Sequence, residues 1–267
     1  MRPLPPLAVL AAGLALGACA PDPAPASPTV EVEAPSAGPS FTLATDSLVV
    51  RDAGLRYSVA VRYPQIRGTS GEPMSPTLRA VNAAIRDSVR ALAEDFRPEP
   101  PPPDGGAPAY EVDVVGTVDR SFVSDDVLSA LVAVYAFTGG AHGTTFLLPL
   151  TYDLRSGRPL GPADLFAPGT PWPDTLAAWT ERAVVAEMAR RLRTTPDSAR
   201  AGFFAGGLDS VRRGEVAVTM GRDSLRVHVP EGQLSPRVTG SFDVGVPYPA
   251  VRPFARPGSV LALRAAR

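Results

Sequence analysis

Two histidines stand in a chain of 267 residues. One of them, His142, lies between glycine steps in the run "TGGAHGTT", residues 138–145. A single histidine can act as a general base or as a metal ligand. A zinc site needs several His, Cys or carboxylate ligands, and the only other histidine is His228, with no His-x-x-x-His or cysteine cluster. A Ser-His-Asp triad can be written on paper around His142, but no Gly-x-Ser-x-Gly elbow supports it. Asp125 and Asp126 could pair for glycosidase work, yet neighbours on a strand point to opposite faces. The plainer reading is a tight connection between two strands. Gly139, Gly140 and Gly143 then supply backbone angles closed to other residues, and His142 bonds locally or faces solvent. No catalytic residue, metal or cofactor is expected from these patterns.

The second residue with chemistry is Cys19, the only cysteine. It ends "MRPLPPLAVLAAGLALGACA", which has a short basic start at Arg2 and an apolar run from Leu7 to Ala18. That run suits a signal peptide and is too short to span a bilayer. Leu16-Gly17-Ala18-Cys19 has the lipobox pattern, so the expectation is cleavage after residue 18 and lipid attachment at Cys19. A chain with one cysteine forms no internal disulfide. Ala20 follows the cysteine where Asp would signal inner-membrane retention, which points to the outer membrane of the cell envelope. Residues 19–40, rich in Pro, Ala and Ser, read as a tether that cannot bury enough apolar surface to fold.

The remaining composition excludes several chemistries. All 26 basic residues are Arg, so lysine Schiff bases and Ser-Lys dyads are impossible. A net charge of −1 with no basic stretch argues against nucleic acid as a partner. With 45% hydrophobic residues the chain can form one large domain or two small ones.

The elements that must position these residues follow from periodicity. "DSLVVRDAGLRYSVAVRYPQI" predicts two strands about the turn at Asp52-Ala53-Gly54, with Val59, Val61 and Tyr63 on one face. A helix is predicted from Ser75 to Phe96, capped by Ser75 with Pro76 at its first position. Its stripe is Leu78, Val81, Ile85, Val89, Leu92 and Phe96. The proline tract "RPEPPPPDGGAP", residues 97–108, reads as a surface connector. Strands follow in "YEVDVVGTVDRSFV", "LSALVAVYAFT" and "TTFLLPLTYDL", the last two flanking the glycine loop. A second helix is predicted over residues 173–193. Trp172, Leu176, Trp179 and Ala183 share one face, whereas Val185, Met188 and Leu192 lie nearly opposite, so this helix is buried on two sides or broken in the middle. Arg190, Arg191 and Arg193 suit its C-terminus. A short helix near "DSARAGFFAGG", a hairpin in "EVAVTMGRDSLRVHVP", and the segments "SFDVGVPY", "PAVRPF" and "SVLALR" close the chain. Mixing without strict alternation predicts an α+β fold with mainly antiparallel sheets.

At "YAFTGGAHG" followed by "TYDLRSGRPLGPADLF" the sequence resembles the family of RsiV-type extracellular domains. That family occurs in lysozyme-binding anti-sigma factors, and a related module occurs in PdaC-type polysaccharide deacetylases. The positions that carry the resemblance are Tyr135, Gly139, Gly140, Ala141, His142, Gly143, Tyr152, Asp153, Gly157, Asp164, Leu165 and Phe166. "VRYPQI" and "VNAAI" upstream and "GSFDVGVPYPAVRPF" downstream extend it from Phe41 to the end. The resemblance implies two linked α+β subdomains, 41–143 and 144–267. It implies a non-catalytic envelope module, with a lysozyme-like muramidase or a peptidoglycan fragment as the ligand. "EGQLSPRVTG", residues 231–240, replaces an aromatic stretch of the family, which puts ligand contacts there in question. The alternatives are a structural envelope protein without a soluble ligand and an enzyme acting on envelope glycans.

Overall fold

The computed structural model describes residues 41–69, 74–101 and 110–266. The expected signal peptide, the lipidated Cys19 and the tether lie outside the described residues, as does most of the proline tract.

The fold is mixed α+β, as its patterning predicts. Strands β1 (Phe41–Asp52) and β2 (Tyr57–Gly68) form an antiparallel hairpin. Helix α1 (Pro76–Asp95) then crosses the sheet, and β3 (Val112–Val123) returns parallel to β2. A parallel return requires such a crossover. Strands β4 (Val127–Phe137), β5 (Thr144–Asp153) and the short β6 (Arg158–Pro159) add antiparallel neighbours, giving one six-stranded sheet in chain order.

Helix α1 begins as its sequence dictates. The Ser75 hydroxyl accepts from Leu78 N at 3.2 Å, and Pro76 needs no donor at the first position. Val81, Ile85 and Val89 are fully buried against Val59, Val61, Val114, Val132 and Val134 of the sheet. Asn82 interrupts this apolar stripe for a reason. Its Oδ1 accepts from Ile66 N at 2.8 Å and its Nδ2 donates to Ile66 O at 2.9 Å. The amide thus satisfies both backbone groups at the end of β2, as a neighbouring strand would.

The second part contains α2 (Pro162–Leu165), α3 (Trp172–Leu192), α4 (Pro196–Arg200) and α5 (Asp209–Arg212). An antiparallel sheet of β7 (Ala217–Met220), β8 (Ser224–Val229) and β9 (Phe242–Pro247) follows, then α6 (Tyr248–Val251) and α7 (Val260–Ala265). Helix α3 is unbroken. Its buried residues wind from Leu176 through Thr180 and Val184 to Met188 and Ala189, so the buried face turns around the helix instead of running straight along it. Of the two sequence alternatives, burial on two sides is the one realised. Arg193 ends it in the left-handed region at φ +52°, and Arg191 ties it to the Thr239 and Ser241 carbonyls.

One expected boundary is corrected. The division at 143/144 does not separate the two sheets, because β5 pairs with β4 over ten residues from Thr144 to Asp153. The glycine loop is a turn within the first sheet. The two parts also share that sheet. A bulge at Asp119 shifts the register of β3 between Val118 and Arg120. The extra residue turns Arg120 and Phe122 to the face opposite α1. Phe122 accordingly belongs to the core of the second part, while Val123 belongs to the core under α1. The second part sits against that end of the sheet. There Ser129 Oγ accepts from Met220 N of β7 at 2.8 Å and contacts Thr151 Oγ1 at 2.7 Å.

Candidate functional site

The glycine loop is built around Tyr135. The Tyr135 hydroxyl accepts from Gly143 N at 2.9 Å. A Cβ at Gly143 would collide with the Tyr135 ring and stand 2.6 Å from Ala136 O. Gly139 and Gly140 adopt φ +94° and +91°, and a Cβ on Gly139 would stand 2.8 Å from the Tyr110 ring. Each glycine therefore has its own reason: conformation at 140, conformation and ring contact at 139, ring contact at 143. His142 is exposed, and its Nδ1 lies 3.1 Å from Gly143 O. It borders the loop and has no acid, hydroxyl or metal-ligand partner among the hydrogen bonds of the described residues.

The two motif aspartates lie elsewhere. Asp153 ends β5, nine residues on from Thr144, so it stands about 30 Å from the loop at strand rise. Its carboxylate takes Arg155 N at 2.9 Å, Arg155 Nε at 3.0 Å and Arg155 Nη2 at 2.8 Å. The Arg155 guanidinium holds this carboxyl below the usual range. Asp164 closes the first turn of α2, accepting from Gly161 N at 2.9 Å. Both line a small cleft with Arg155, Arg158 and Arg256. Leu165 and Phe166 are buried, and Phe166 stacks on Trp172 with ring centroids 4.5 Å apart. The motif is thus two structural clusters at opposite ends of β5, not one convergent site. Asp125 and Asp126 occupy the turn between β3 and β4 and not a strand. Asp126 is buried and accepts from Ser124 Oγ at 2.5 Å. Among the described residues no group of three or more His, Cys, Asp or Glu is placed to hold a metal.

The polar constellation that sequence reading missed surrounds His228. Its Nε2 lies 2.6 Å from Thr219 Oγ1, and its Nδ1 lies 3.5 Å from Asp243 Oδ1. His228 and Asp243 are direct partners between β8 and β9, and Thr219 is diagonal to His228 on β7. Alternation puts all three on one face. The imidazole is buried at 2% exposure. Burial pushes its pKa down to about 4; Asp243 opposes this, while Arg120 and Arg226 add to it. Asp243 is itself held by Arg120 Nε at 2.5 Å and by Arg226 Nη2 at 3.1 Å. Arg120 comes from the first sheet, so this carboxylate joins the two parts. The hydroxyl-imidazole-carboxylate order is that of a catalytic triad. The signal in the sequence was the period-two placement of Thr219, His228 and Asp243, which reads only once the strands are paired.

The face of the six-stranded sheet away from α1 is open at the glycine-loop end. Val49, Ala60, Val115, Tyr135 and Thr145 stand in one cross-strand row. Val49 is 59% exposed, Val115 41% and Tyr135 44%. Arg62, Thr117 and Asp113 flank the row.

No protein-family model matches the chain. Over 127 residues it is 27% identical to a protein of Mycobacterium tuberculosis named Esterase Rv3036c, covering 48% of this chain and 52% of that protein. The chain therefore spans about half the length of the curated relative it matches. Two solved structures of DUF3298 family proteins share the fold. One, from Bacteroides fragilis, has a TM-score of 0.50 and 17% identity, covering 85% of this chain and 99% of its own. The other, from Pseudomonas aeruginosa, has a TM-score of 0.50 and 16% identity, covering 81% and 95%. DUF3298 is a domain family related to the RsiV and PdaC modules, and what the chain shares with its two solved members is the fold.

Proposed function

We propose that the protein is a cell-envelope lipoprotein anchored through Cys19, whose folded part is a non-catalytic binding module. The ligand is a lysozyme-like muramidase or a fragment of peptidoglycan. The observation that carries this reading is the exposed row Val49, Ala60, Val115 and Tyr135 on the open face of the sheet. Exposed apolar side chains gathered on an open face, flanked by polar ones, suit recognition of a macromolecular surface. The glycine loop supports the row by locking Tyr135. The position of His142, exposed and bonded to its own loop, accords with a role without chemistry. The soluble domain from Phe41 onward is tested by co-sedimentation with insoluble peptidoglycan and by surface plasmon resonance against lysozyme. Binding to one of the two, weakened about tenfold or more by Val115→Glu, is expected. Failure to bind either, or equal binding by Val115→Glu, overturns the reading.

A second reading, ester hydrolysis, is favoured by the match to a protein named an esterase and by the Thr219–His228–Asp243 order. Two features weaken it. An imidazole with a pKa near 4 is a feeble base at neutral pH, and Arg120 and Arg226 compete with it for Asp243. Hydrolysis of p-nitrophenyl acetate by the wild-type domain, abolished in Thr219→Val, would put this reading first.

A further inference from the structure

We propose that the cleft where the two sheets meet binds a single small carboxylate, independently of the open face. The cleft measures about 210 Å3. Arg120, Ser121 and Phe122 of β3 wall one side, and Thr219, Ser224 and Arg226 of β7 and β8 wall the other. It is a built space and not a surface dent. Ser129 at 1% exposure and Thr219 at 3% line it; the Ser129 hydroxyl is held across the sheets by Met220 N, and the Thr219 hydroxyl is held by His228 within the second sheet.

The charge arrangement selects the ligand. Arg120 and Arg226 reach the same carboxylate, Asp243, from different sheets. Arg120, Arg222 and Arg226 line the cleft against Asp223 and the Asp243 carboxylate that two of them share, which leaves one positive charge in excess. Arg226 engages Asp243 through Nε and Nη2, and a guanidinium fork has a second edge that can take another carboxylate. Asp223 in the cleft wall, and Asp119 outside the lining at 4.0 Å from Arg120 Nε, are the carboxylates a ligand would meet besides Asp243. They limit the site to one negative charge, since a dianion or polyanion would meet both. Phe122 gives the body of the ligand an apolar surface. A carboxylate on an uncharged body the size of one amino-acid residue meets these limits of volume and charge. The C-terminal end of a short peptide is such a group.

Isothermal calorimetry on the folded domain tests this with N-acetylalanine, with N-acetylalaninamide of the same shape without charge, and with inorganic phosphate. The expected result is saturable binding of N-acetylalanine, with the amide and phosphate each about tenfold weaker or more. Arg226→Gln should lose that binding. Because this change also leaves Asp243 short of a partner, Arg226→Lys is the second variant. It keeps a positive charge beside Asp243 but has no second edge to offer, so it should lose binding while its melting temperature stays near wild type. Equal binding of acid and amide, phosphate binding as tight as the acid, unchanged binding by Arg226→Lys, or no saturable binding of the acid would each overturn the proposal.

Discussion

The Tyr135 hydroxyl accepts a hydrogen bond from Gly143 N at 2.9 Å, and its ring occupies the place where a side chain on Gly143 would stand. The motif glycine and the motif tyrosine are thus two halves of one packing contact across the turn from β4 to β5. This relationship ranks the residues of the loop by what their loss should do.

Gly143→Ala should destabilise the protein by about 1–3 kcal/mol, because the ring must move and the Ala136 carbonyl is fixed backbone. Gly140→Val should cost a similar amount for another reason: nothing crowds Gly140, but a β-branched residue is strained at φ +91°. His142→Ala, at an exposed position, should change stability by less than about 0.5 kcal/mol. Urea melts of the three variants check the order. A His142→Ala loss as large as that of Gly143→Ala would show that the imidazole holds the loop.

Asn82→Leu keeps the helix but strands both Ile66 N and Ile66 O. Each buried unpaired group costs about 1–3 kcal/mol, so this isosteric change should destabilise far more than Ser88→Ala on the same helix. Hydrogen exchange at Ile66 N should speed up selectively. Unaltered protection there would mean that water or another residue takes over from the amide.

Stability should fall in acid through His228. Its folded pKa, about 4, lies below the ordinary value of 6.5. The unfolded chain therefore binds the proton first, and protonation favours unfolding. This contribution is intact above about pH 6.5, declines as the pH falls, and is fully lost near pH 4, for about 3 kcal/mol in total. His228→Gln should flatten the pH dependence of the melting temperature over that window. An equally steep profile in the variant would assign the acid sensitivity to other groups.

Cys19→Ser should yield an unprocessed or soluble protein that no longer partitions into the detergent phase with membranes. A variant that is still processed and membrane-bound would remove the lipid anchor from the proposed function.

Much of the framework was legible in the sequence because it depends on local rules. Ser75 and Pro76 start α1, the Val81–Ile85–Val89 stripe buries it, and Val59, Val61 and Tyr63 alternate on β2. Helix periodicity, strand alternation and capping involve residues within a turn or two of one another, so they can be read before any contact is known. The α+β class followed from the same rules.

Three features depended on pairing between distant strands, and only the tertiary structure decided them. The extra residue at Asp119 reverses which side chains of β3 face the second part, and nothing in "GTVDRSFV" marks that step. Once reversed, Arg120 meets Asp243, a residue more than a hundred positions away. Thr219, His228 and Asp243 gather only because three strands align in one register, whereas a slip of one residue would turn any of them to the opposite face. His142, the residue whose neighbours suggested chemistry, ended in an exposed turn, and His228, which carried no motif, ended in the buried network. The local sequence specifies the elements, but register and bulge set which polar side chains converge, and those are properties of the assembled sheet.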